Sequence, residues 1–274
     1  MIPKIIHYCW FGGSPLPGSA KKCIDSWRKF LPDYEIWVWV EQQPLSTSLP
    51  KERELYADKV MAFDVNSIAY TKEAYKAKKY AFVSDYARFD ILYQYGGIYF
   101  DTDVEALKPM DDIIDKGPFM GREAGAYLCN ICDGFEGNGL AVAPGLGLGV
   151  SPGHSLYKEF LDAYKDFSFL NEDGSLNTKT IVSYTSEILV KHGLNSENDT
   201  PQLVAGVWIY PADVFCPMDH TKGRYVKITE DTRTIHHYDA SWLNHNTLRY
   251  KLSLIKKWYV RTIEEIRDKY TDGE

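Results

Sequence analysis

An α/β layer fold is predicted for this 274-residue chain on three observations. Short apolar runs rich in β-branched and aromatic residues alternate with segments of helical pattern. Glycine- or proline-bearing stretches mark the ends of several of them. Neither an internal repeat nor a long linker interrupts the alternation, so the strands and helices are expected to share one core.

In chain order, Ile2–Cys9 reads as a buried strand emptying into a loop at Gly12-Gly13-Ser14-Pro15. Ser19–Phe30 has helical character and stops at Pro32-Asp33, and Tyr34–Trp39 is a second, alternating strand. After a polar stretch over Gln42–Pro50, Glu73–Tyr95 forms one or two helices, with Gly96-Gly97 as the C-terminal cap. Ile98-Tyr99-Phe100 is a short strand that runs directly into Asp101-Thr102-Asp103. Gly121–Gly153 is glycine-rich and irregular, with room for a strand or two. Helical patterns recur at His154–Phe167 and Thr178–His192, and Val204–Tyr210 and Tyr225–Thr229 read as strands either side of a Pro211–Gly223 loop. Leu243–Tyr270 is expected to be one helix.

Composition narrows the function. With 45% hydrophobic and 25% charged residues, disorder and coiled coil are disfavoured. The 20 Tyr and 7 Trp suit a surface that stacks on rings as well as a core. A net charge of −7 argues against a nucleic-acid partner. No apolar run reaches the ~18–20 residues of a membrane span, and Met-Ile-Pro-Lys-Ile-Ile-His has no export pattern, so a cytoplasmic location is expected. Cys129-Asn-Ile-Cys132 has the spacing of half a zinc site, but no second pair completes it, and the five cysteines are expected to be reduced thiols.

Asp101 and Asp103 stand at i and i+2 at a strand end, where side chains of that spacing share a face. Paired hard oxygens suit Mg²⁺ or Mn²⁺, and a diphosphate can fill the sites they leave open. Asp85 and Arg88 stand at i and i+3 in a segment that is apolar on nearly every face. An ion pair is a weak source of stability there, whereas a carboxylate beside a guanidinium suits sugar hydroxyls. Trp10 follows the first strand, at the end where α/β sheets bind ligands, and its indole can stack on a base. His236-His237-Tyr238-Asp239-Ala240-Ser241-Trp242 offers imidazole for a metal and hydroxyl and indole donors for phosphate.

These segments together resemble glycosyltransferase family 32. The resemblance rests on Pro3–Gly13, on Ser84-Asp85-x-x-Arg88 through Tyr95-Gly96-Gly97-Ile98-Tyr99-x-Asp101-x-Asp103, on Gly145–His154 and on Ile235–Trp242. The catalytic domains of the large glucosylating bacterial toxins are similar in the same segments. The resemblance implies a GT-A type Rossmann-like mixed sheet flanked by helices over residues 1–243, with residues 244–274 as a C-terminal basic amphipathic helix. It implies a divalent metal, Mn²⁺ or Mg²⁺, and retention of anomeric configuration. His7 and Trp10 fall on the donor-binding strand end, with Trp10 on the base. Asp85 and Arg88 would hold donor-sugar hydroxyls, and Tyr99 and Asp101 the nucleoside side. Asp103 would bind the metal, with Asp101 beside it and His237 as a further ligand, His236 being the open alternative. Ser241 and Trp242 would lie near the β-phosphate, and Asp85, Arg88, Asp101, Asp103 and Trp242 form the expected catalytic set.

The expected activity is transfer of galactose, glucose or an N-acetyl form from a UDP-sugar to a glycan or lipid-linked oligosaccharide in cell-surface polysaccharide assembly. GDP-mannose as donor, a metal-dependent phosphodiesterase or nucleotidyltransferase, and a carbohydrate-binding module are the alternatives. For retention, front-face attack is preferred to a covalent carboxylate, for which Asp239 or an acid within Gly121–Gly139 are the candidates. The basic and aromatic segment 248–270 suits contact with an anionic membrane at the inner face of a bacterial cell, or packing on the domain.

Overall fold

The computed structural model describes residues 1–42, 55–177, 179–219, 224–225 and 228–238. The chain begins with β1 (Ile5–Cys9), α1 (Gly18–Phe30), β2 (Glu35–Glu41) and β3 (Lys59–Phe63). Next come α2 (Ala69–Lys76), α3 (Tyr80–Tyr95), β4 (Gly97–Tyr99), β5 (Val104–Ala106) and α4 (Asp111–Ile114). They are followed by β6 (Phe119–Tyr127), α5 (Leu128–Ile131), β7 (Leu140–Val142), β8 (Leu148–Val150), α6 (Ser155–Ala163) and α7 (Ile181–Lys191). The last described elements are β9 (Gln202–Val204), β10 (Val207–Tyr210), α8 (Ala212–Phe215), β11 (Met218–Asp219), β12 (Arg224–Tyr225) and β13 (Thr234–His236).

The main sheet has nine strands in the order β3-β2-β1-β4-β8-β6-β10-β9, with β7 on β6. β1 pairs in parallel with β2 and with β4, and β2 in parallel with β3. β8 enters antiparallel between β4 and β6, which makes the sheet mixed. Successive residues of β2 fall into different cores. Ile36, Val38 and Val40 pack with Ile24 and Trp27 of α1, whereas Trp39 packs with Tyr70 of α2 and Val83 and Phe89 of α3. Strand side chains alternate between faces, so helices cover both sides. This is the expected mixed sheet flanked by helices.

Several boundaries differ from those read in the sequence, each for a local reason. Glu73–Tyr95 is two helices because Lys78 takes a left-handed φ of 56°, and α2 begins earlier, at Ala69. Val204–Tyr210 is a hairpin, since Ala205 and Gly206 both have positive φ, the geometry of a two-residue turn. The glycine-rich stretch conceals β6, which runs for nine residues, and β3 and β5 are strands the sequence pattern did not reveal. The expected helix Leu243–Tyr270 lies outside the described residues.

His7, expected at the donor-binding strand end, belongs to β1 and is fully buried inside the sheet. The Trp39 indole N–H donates to its Nδ1 (3.1 Å), which leaves Nε2 as the donor to the Gly96 carbonyl (2.9 Å). Burial pushes its pKa down to about 4, against the pull of the Gly96 carbonyl. An unfolded histidine titrates near 6.5, so between the two values the unfolded chain binds more protons than the folded one. Stability therefore falls as pH drops through that window, by up to about 3 kcal/mol from this ring alone. Ring ¹⁵N NMR should show a neutral His7 carrying its proton on Nε2 at pH 5.5. An imidazolium signal at that pH would overturn the assignment.

Candidate active site

Parallel pairing of β1 with β4, in the register His7 to Tyr99, sets their carboxyl ends side by side. Trp10 leaves one end and the Asp101-Thr102-Asp103 turn leaves the other. The Trp10 indole is half-buried, and its N–H donates to the Ser14 carbonyl (2.6 Å), which anchors the loop beneath it.

Arg88 is the hub of the first half of the site. It is buried on α3, and its Nε donates to the Ser84 carbonyl one turn earlier (3.1 Å). One Nη reaches Asp85 Oδ1 at 3.0 Å and Asp101 Oδ1 at 3.2 Å, and the other reaches Asp101 Oδ2 at 3.3 Å. The guanidinium lies 4.9 Å from the Tyr99 ring centre, and the Tyr99 hydroxyl donates to Asp101 Oδ1 (3.2 Å). Both Asp101 oxygens are thereby engaged by the protein. Burial raises the pKa of Asp85 to about 7, with Arg88 opposing and Asp101 reinforcing the shift. Burial likewise raises Asp101 against the pull of Arg88. The loop that covers this network closes on Gly145, whose carbonyl accepts the Asp101 backbone N–H (3.1 Å). A Cβ at Gly145 would overlap the Asp101 carboxylate and stand 3.1 Å from the guanidinium, so only glycine fits there.

The second half is assembled across the chain. β13 pairs antiparallel with β5, with His236 opposite Val104, and the His237 backbone N–H donates to the Asp103 carbonyl (2.9 Å). This pairing turns His236, not His237, toward the Asp-X-Asp turn. His236 Nε2 lies 3.0 Å from Asp103 Oδ1, whereas His237 Nε2 lies 2.8 Å from Glu105 Oε2. The favoured choice of His237 as the imidazole beside Asp103 is thus corrected to His236, because consecutive residues at a strand end present opposite sides. Burial opposes charge on His236, but Asp103, with Asp101 and Glu123 behind it, raises the ring to about 9. Ser241, Trp242 and Asp239 lie outside the described residues.

Among the described residues, no three His, Cys, Asp or Glu side chains form a ready-made ligand cluster. The Asp103–His236 pair nevertheless fits a hard divalent cation. Adjacent ligands of an octahedral ion with ~2.1 Å bonds stand ~3.0 Å apart, and these two atoms are 3.0 Å apart. Two protein donors leave positions open for diphosphate oxygens. Sequence reasoning missed Glu105, although Asp101, Asp103 and Glu105 repeat with the strand period of two. It included Glu123 only among the acids of a glycine-rich stretch, and no periodic signal distinguishes that residue.

Parts of this chain are similar to known proteins. Residues 17–120 match the family described as glycosyltransferase sugar-binding region containing DXD motif. Inositol phosphoceramide mannosyltransferase 1 of Schizosaccharomyces pombe is 29% identical over 121 residues, covering 43% of this chain and 33% of that protein. The chain therefore spans about a third of the length of that relative. An uncharacterized glycosyltransferase of Acanthamoeba polyphaga mimivirus is 23% identical over 254 residues, 89% of this chain and 85% of that protein. The solved PaToxG glycosyltransferase superposes with a TM-score of 0.48 at 20% identity, covering 69% of each chain. Residues 17–120, which include α1, the Asp85–Arg88 pair and the Asp-X-Asp turn, are thus the part of this chain that is similar to the DXD-containing sugar-binding region of glycosyltransferases.

Proposed function

We propose that this protein is a metal-dependent retaining glycosyltransferase that moves a hexose from a nucleotide-sugar to a glycan or lipid-linked acceptor. The observation that carries the reading is the meeting of Asp103 and His236, 133 residues apart, beside the Arg88-centred network of Asp85 and Asp101.

Asp103 and His236 would hold Mn²⁺ or Mg²⁺, which when bound supplies positive charge beside the leaving diphosphate. Asp85 and Arg88 would orient the donor-sugar hydroxyls, since a buried carboxylate accepts and a guanidinium donates in fixed directions. Trp10 would stack on the base beyond β1. For retention, front-face attack by the acceptor hydroxyl remains the favoured route. The Glu123 carboxylate is already bonded to the Tyr238 hydroxyl, which argues against Glu123 as a free nucleophile.

UDP-linked galactose, glucose or their N-acetyl forms are the first donor reading. The fission-yeast relative is named a mannosyltransferase, which favours GDP-mannose as the second. Thermal shift with UDP, GDP and their sugars, with and without Mn²⁺, tests both. Stabilisation by one nucleotide only when Mn²⁺ is present is the expected result, with a gain set by RT ln(1 + [L]/Kd). Stabilisation that ignores both nucleotide and metal would reject the transferase reading in favour of a carbohydrate-binding module.

A further inference from the structure

A metal-binding imidazole is normally oriented by a hydrogen bond at its second ring nitrogen. Among the described residues His236 has no such bond: its Nδ1 is buried and without a hydrogen-bond partner there. Something else must hold the ring in place. Tyr238, two residues on, packs its ring against His236 with centroids 4.2 Å apart. Tyr238 has a left-handed φ of 51°, which is uncommon for a bulky residue and persists only when its surroundings enforce it. The enforcement is visible at its hydroxyl. That group donates to Glu123 Oε1 (2.6 Å), and the Cys216 Sγ lies 3.1 Å from it. Glu123 is buried on β6 of the main sheet, and Cys216 follows α8, so the phenol is pinned to the core and not to its own loop.

We propose that Tyr238, fixed by Glu123, is a positioning residue that aims the His236 imidazole at Asp103 and so sets the affinity of the site for a divalent cation. This rests on the metal reading above. The Glu123–Tyr238 bond takes the place of a bond at Nδ1: it orients the imidazole through a ring contact tilted by 50°, not through a hydrogen bond.

The test is Mn²⁺ binding by the full chain, followed by electron paramagnetic resonance of the free ion well below the melting transition. Asp103→Ala and Tyr238→Phe are compared with the wild type. Tyr238→Phe keeps the ring and loses only the hydroxyl, and it should weaken Mn²⁺ binding by about 10-fold or more, the usual effect of losing an outer partner of a metal ligand. Glu123→Gln retains an acceptor and should weaken binding less than Glu123→Leu does. If Tyr238→Phe fails to fold, this ordering of the Glu123 variants carries the test. Wild-type Mn²⁺ affinity in folded Tyr238→Phe, or equal affinities in the two Glu123 variants, would overturn the positioning role while leaving the metal site intact. A wild type that binds no Mn²⁺, or an Asp103→Ala chain that binds it as well as the wild type, would instead overturn the metal reading, and the positioning role with it.

Discussion

Asp103→Ala should lower turnover by about 10²–10³-fold or more, equivalent to losing about 3–4 kcal/mol of transition-state stabilisation. The physical reason is position. Asp101 is already engaged by Arg88 and Tyr99, whereas Asp103 faces His236 at the distance expected of two neighbouring ligands. Removing its carboxylate withdraws the charged half of the pair that would hold a cation beside the leaving diphosphate. The measurement is release of nucleoside diphosphate from the nucleotide-sugar that the thermal-shift experiment selects, with circular dichroism to establish that the variant is folded. Asp103→Asn separates charge from shape and should retain little more activity than alanine. Undiminished turnover in Asp103→Ala, or undiminished wild-type turnover in excess chelator, would end the metal-dependent reading.

Arg88→Met has its largest effect on stability, about 3–5 kcal/mol, because it removes one partner from a buried charge network. Methionine fills much of the space but leaves Asp85 and Asp101 facing each other without a cation. The loss should depend on pH in a definite direction. Burial already lifts Asp85 to about 7 and raises Asp101, and both shifts are partly restrained by Arg88. Without that restraint both carboxyls titrate higher still, so the folded variant holds more protons than its unfolded chain above about pH 4. Under that condition stability falls as pH rises. Urea midpoints should therefore show a smaller gap between variant and wild type at pH 5 than at pH 8. A gap that is absent, or that widens toward acid, would mean that Arg88 is not the cation that keeps the two acids together.

The part of the site that lies in one stretch of chain was legible in the sequence. Asp85 and Arg88 are one helical turn apart, and Asp101 and Asp103 follow a strand, so local periodicity alone placed each pair on a shared side. The two glycines after Tyr95 announced the end of α3, and Gly96 does take a positive φ there. Legibility failed where distant segments meet. His236 and His237 are chemically identical, and only the register of β13 on β5 decides which one turns to Asp103. His7 is expected at the donor-binding strand end because it sits in the motif, and only the fold bonds its two ring nitrogens to the Trp39 indole and the Gly96 carbonyl.

The sequence by itself determined the alternation of strands and helices, the Asp-X-Asp turn at a strand end, and the Asp85–Arg88 pair. Each of these is set by side-chain spacing within a few residues. Tertiary structure alone decided that Arg88 joins Asp85 to Asp101, that His236 faces Asp103, and that Glu123 and Cys216 grip the Tyr238 hydroxyl. Those contacts span 13 to 133 residues, apart from the single helical turn between Asp85 and Arg88. Their geometry comes from strand register and sheet order, which depend on how the whole chain packs and leave no local periodicity to read.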